Sequence, residues 1–172
     1  MTMDITQAER QRFLSLLEIV RCEGDLLLKT NARLFKVNLN AAWVARLESE
    51  EDLAGRLDAF VSRFGRMQDT LGDKLIPSLL RSLAEKPGSA LDNLNRAEKL
   101  GLLTSVVEWL DVRNLRNKLV HEYMVDAEEF AIALNQAHVV VTLLVATYNA
   151  INLFAHARIS APAWPNLLTV GR

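Results

Sequence analysis

A chain of 172 residues suits one domain and leaves a second independent one cramped. Half of it is hydrophobic, 24% is charged, and only 7 Gly and 4 Pro interrupt it, which excludes bulk disorder and favours long helices. A net charge of -1 excludes a polycation that holds nucleic acid by charge alone, and a lone cysteine, Cys22, excludes an internal disulfide and a cysteine-built zinc site.

Thr6 and Glu9 have capping-box spacing, and Phe13, Leu16, Leu17, Val20, Leu27 and Leu28 follow at helical intervals. The spacing predicts a first helix from about Gln7 to Leu28. Cys22, within that apolar helix, reads as a core residue. Asn38 to Asn40 is a break, with Asn40 placed to cap a short helix carrying Trp43, Val44 and Leu47. Ser49 and Asp52 resemble another helix start, opening a run from about Glu50 to Leu71 with Leu53, Leu57, Phe60, Val61, Phe64 and Met67 on one stripe.

Gly72 and Pro77 predict a kink or restart. Lys86-Pro87-Gly88 is a loop, Ser89 with Asp92 opens a short helix, and Gly101 closes it. Ser105 with Glu108 opens a helix through about Val120. Asp126 with Glu129 opens the last long one, to about Ala155. Its Val139 to Phe154 stretch falls short of the roughly 20 apolar residues that a membrane span needs. Asn135, His138, Thr142, Asn149, Asn152 and His156 add a polar stripe, so an amphipathic core helix is expected and no membrane association.

These elements predict an all-α antiparallel bundle, two long helices plus shorter ones, in a single domain over residues 1–159. A Pro-containing tail, residues 160–172, is expected to be loose or draped. With no basic leader and cleavage site at its start, the chain reads as cytoplasmic.

The helix from Ser105 to Tyr123, SVVEWLDVRNLRNKLVHEY, breaks the ordinary pattern. With Val106 at zero on a wheel, Asp111, Asn114, Lys118 and Glu122 fall between about 80° and 160°, a solvent face. Trp109, Leu110, Val112, Leu115, Leu119 and Val120 make the rest largely apolar, yet Arg116 stands near 280°, between Val112 and Trp109. Arg113, Asn117 and His121 stack at four-residue steps beside Val106 and Leu110. An unpaired guanidinium is costly to bury, so Arg113 and Arg116 must pair with carboxylates, line a cleft or meet a second subunit.

Arginine grips phosphate and stabilises charge developing on phosphorus, histidine passes a proton near neutral pH, and asparagine orients either. That set suits metal-independent RNA cleavage, in which a 2′-hydroxyl attacks the neighbouring phosphate. One helix supplies one histidine, and a two-fold dimer would bring two Arg–His sets together. The competing reading is structural: a histidine near a helix end caps or packs, and basic residues in a last turn oppose the helix dipole.

Arg116-Asn117-Lys118-Leu119-Val120-His121-Glu122-Tyr123 matches the R-x4-H motif and resembles the HEPN superfamily, in the R-x4-H-x-Y form of HepT-like toxins. Arg63 to Asp73 and Asn95 to Gly101 look like segments of the same helical proteins. The resemblance implies a dimeric helical bundle whose paired motifs form a shared cleft. It implies a metal-independent endoribonuclease of a toxin–antitoxin or defence system that needs no cofactor. By motif position it makes Arg116 and His121 the catalytic pair and Asn117 the polar helper. Tyr123 would be the tyrosine that a partner minimal nucleotidyltransferase antitoxin modifies with AMP. Arg113 is an RNA-binding candidate; Arg63 is read as salt-bridged on a solvated face. The alternatives are a non-catalytic HEPN module that binds nucleotide or assists a nucleotidyltransferase, and a helical adaptor without chemistry at Arg116.

Overall fold

A computed structural model describes residues 5–121 and 126–171, with the side chains of Ile5 and His121 outside that set. Among the described residues every regular element is helical: α1 (Ile5–Leu34), α2 (Ala41–Ala45), α3 (Glu51–Asp69), α4 (Ile76–Ser82), α5 (Ala90–Lys99), α6 (Val106–His121) and α7 (Ala127–His156). A 3₁₀ turn, Arg46–Glu48, follows α2, and a π-helical turn, Thr70–Leu75, joins α3 to α4.

The two longest helices, α1 and α7, carry most of the core. Phe13, Leu17, Val20, Leu27 and Leu34 bury one stripe of α1 against α3, α4 and α7. The helix runs six residues beyond Leu28, because Leu34 still has core to fill and Asn31 meets His138 of α7 across 2.8 Å. The same stripe turns Cys22 outward: the thiol is exposed, beside Glu18 and Arg21, and is not a core residue as its apolar helix suggested.

Local capping chemistry starts and stops most helices. The Asn40 carboxamide accepts the Trp43 N–H at 2.9 Å, and Ser89 with Asp92 closes a full capping box on α5. Gly101 takes φ +78° after α5, where any side chain would be strained. Asp126 accepts the Glu128 and Glu129 N–H groups at the head of α7. Ser49 is different: its hydroxyl turns back to the Arg46 carbonyl, and α3 begins after Glu50 with no side-chain cap.

The restart expected near Gly72 and Pro77 takes the form of a change of helix type, α3 ending at Asp69 and α4 starting at Ile76. The π turn carries the helical path from α3 through Gly72, the Ile76 N–H reaching back five residues to the Leu71 carbonyl, and Pro77 stands in the first turn of α4.

The α7 helix is long and apolar enough to cross a membrane by length and composition alone, and half of its most apolar window is buried inside the bundle. Its polar stripe is used internally. Asn152 is buried, donates to the Pro165 carbonyl at 2.9 Å and accepts the Trp164 indole N–H at 2.9 Å. Asn149 exchanges two 2.9 Å bonds with Leu168, and the Tyr148 hydroxyl donates to the Asn166 carbonyl. Leu168 fills the hollow left by Gly24 of α1, where a Cβ would collide with it. The tail is therefore draped, and tied, over α1 and α7.

Candidate functional site

The α6 helix is set in place at both its start and its middle. The Glu98 carboxylate of α5 accepts the Val106 N–H at 2.6 Å, and the Ser105 hydroxyl accepts the Glu108 N–H at 3.2 Å. These satisfy two of the free amides that every helix N-terminus exposes. Ser105 was legible as a cap; Glu98 was not, because it comes from another helix.

Farther along, α6 docks onto α3 and the π turn through two glycine notches. A Cβ at Gly65 would stand 3.1 Å from Arg116 Nε, and one at Gly72 would stand 3.1 Å from Trp109 Nε1. Gly65 and Gly72 are seven residues apart, as are Trp109 and Arg116. The two helical paths thus meet antiparallel, one bare backbone patch receiving each bulky side chain. Trp109 is wholly buried, a packing residue with its indole N–H unpaired among the described residues.

Two ion pairs run beside the notches. Arg116 Nη2 lies 2.9 Å from Asp69 Oδ2, and Arg113 Nη2 lies 2.9 Å from Asp73 Oδ1. Both arginine side chains are about one-third exposed (33%) and both carboxylates nearly half so (43% and 49%). Of the three accounts open for the arginines, two hold together: they pair with carboxylates and they line a cleft. Arg116 Nη1 also donates to Asn117 Oδ1 at 3.3 Å, while its Nε is buried without a partner among the described residues. The stem of Arg116 is thus packed on Gly65 and its fork reaches outward.

The cleft between α3, the π turn and α6 has a volume of about 1030 Å³. Arg66, Lys74, Arg113 and Arg116 line it with Asp58, Asp69 and Asp73, together with Ser62, Thr70 and Asn117. Among the described residues its charges nearly cancel, with one cation in excess. Arg63 is not on this rim and, among the described residues, makes no carboxylate pair; it donates to the Thr30 hydroxyl of α1.

Of the catalytic candidates, Arg116 and Asn117 share the cleft, and Arg113 joins them. His121 is the last residue of α6, and its side chain lies outside the described residues, as does Tyr123 altogether. The other two histidines stand elsewhere: His138 stacks on Phe35, and His156 on Trp164. Val120, read as part of the apolar arc, is 48% exposed at the cleft mouth. No cluster of three metal-ligating side chains exists among the described residues.

Fold and site together define an all-α bundle with a polar, arginine-lined cleft along its sixth helix. No protein-family model, curated protein or solved structure matches the chain.

Proposed function

We propose that this protein is a metal-independent endoribonuclease of HEPN type, working as a two-fold dimer in the cytoplasm and controlled by a nucleotidyltransferase partner that modifies Tyr123. The observation that supports it most is the seating of Arg116. Its stem is held on Gly65, its fork opens into a polar cleft beside Asn117, and His121 follows on the same helix. In this reading the RNA 2′-oxygen bonds to phosphorus as the bond to the 5′-oxygen breaks. One imidazole takes the hydroxyl proton, another protonates the departing oxygen, and Arg116 holds the charge on the phosphoryl oxygens. His138 and His156 are engaged on other faces, so the second imidazole comes from the partner copy's His121.

A second reading has an observation of its own. Asp69 and Asp73 already pair with Arg116 and Arg113, which suits a module that binds nucleotide or supports a partner without cutting RNA.

The deciding experiment is cleavage of total RNA and tRNA in EDTA by the purified protein, beside Arg116→Ala and His121→Ala. Cutting that both variants lose, at unchanged melting temperature, establishes the nuclease. Absence of cutting by protein whose intact mass shows Tyr123 unmodified moves the assignment to the binding module.

A further inference from the structure

A second concavity, of about 1000 Å³, lies between α6, α7 and the 38–41 loop, away from the arginine cleft. Its floor is apolar: Leu39 and Val112 are buried, and Leu115 and Val140 are half-buried. On its α7 edge Ile132 and Val139 stand 55% and 68% exposed, seven residues and so two helical turns apart. Exposed aliphatic side chains at that interval, over an apolar floor, are how a groove receives the face of another helix.

The groove is preformed. The Asn135 side-chain amide donates to the Leu39 and Ala131 carbonyls, both at 2.8 Å, which ties the loop wall to α7. The rim is acidic. Glu108, Asp111 and Glu128 line it, with asparagine and glutamine between them and, among the described residues, no lysine or arginine. From Glu128 to Val140 the α7 edge spans about 18 Å, the length of a three-turn helix. A second copy turned face to face would bring two acidic rims together, which opposes self-association through this face.

We propose that this groove docks a cationic amphipathic helix of about three turns from a partner protein, its apolar stripe over Ile132 and Val139 and its lysines or arginines against Glu108, Asp111 and Glu128. The surface is independent of the nuclease reading.

The test is fluorescence anisotropy with a labelled 14-residue helical peptide bearing leucines at i, i+3, i+4 and i+7 and lysines elsewhere. A control peptide carries glutamates in place of the lysines. The lysine peptide should bind at micromolar strength and at least about tenfold more tightly than the control. Ile132→Ser/Val139→Ser, at exposed positions that leave the fold intact by circular dichroism, should weaken it about tenfold. Glu108→Gln/Asp111→Gln/Glu128→Gln should flatten its salt dependence. Equal binding of both peptides, or binding that the serine variant retains, overturns the proposal. So does a dimer by sedimentation that this serine variant alone dissolves, since the occupant would then be a second copy.

Discussion

Arg116 and Asp69, 47 residues apart in sequence, meet at 2.9 Å across the α3–α6 seam. The contact leaves the guanidinium shared between Asp69, Asn117 and the open cleft. A phosphate approaching Arg116 must therefore compete with a carboxylate already in place. At this exposure the pair itself contributes little to stability, on the order of 0.5 kcal/mol.

Asp69→Asn should free the arginine without unfolding the protein. Single-stranded RNA should bind about three- to tenfold more tightly at low salt, read by anisotropy in EDTA, as one like charge leaves the cleft. Unchanged affinity would mean that the carboxylate does not compete for Arg116.

The two glycine notches should respond differently to the same methyl group. Gly72→Ala presses on the buried, rigid Trp109 indole and should cost about 1–3 kcal/mol in urea denaturation. Gly65→Ala presses on Arg116, whose outer atoms can move, and gains helix propensity, so its stability should stay within about 1 kcal/mol of the wild type. In the nuclease reading, RNA cleavage by Gly65→Ala should still fall about tenfold or more, because the arginine fork has been shifted.

Glu23 of α1 shares a part-buried corner with Thr70, whose hydroxyl lies 3.1 Å from Oε1. Burial pushes its carboxyl above the usual range, outweighing that bond and the pull of Arg66 and Lys74. A raised folded-state pKa means that its favourable contribution is present in acid and is lost as pH rises through the folded value. Glu23→Gln should therefore match the wild type near pH 4 and melt about 1–3 °C higher at pH 7. A lower melting temperature at pH 7 would show attraction to Arg66 and Lys74 prevailing over burial.

Ala84 ends α4 at φ +61°, a left-handed conformation that usually falls to glycine. The turn is closed by the Glu85 N–H on the Leu80 carbonyl at 2.9 Å. Ala84→Gly should raise stability by about 1 kcal/mol, seen as a higher urea midpoint at unchanged slope.

The sequence by itself determined where most helices begin and end, which stripes face inward and which residues carry candidate chemistry. Asn40, Ser89, Ser105 and Asp126 were readable as caps because each side chain bonds amides within three residues of itself. Arg116 was readable as anomalous because a cation on an apolar arc needs a partner wherever the chain goes. Only the tertiary structure decided who that partner is. Asp69 for Arg116, Asp73 for Arg113, Glu98 for the head of α6 and the tail carbonyls for Asn152 all lie on other segments. Gly72 taught the same lesson: along the chain it reads as a breaker, but across the bundle it is the flat patch that lets Trp109 approach. Helical periodicity and capping act over a few residues and are written locally. The choice of partner depends on how whole helices cross, and that is settled by packing the complete core.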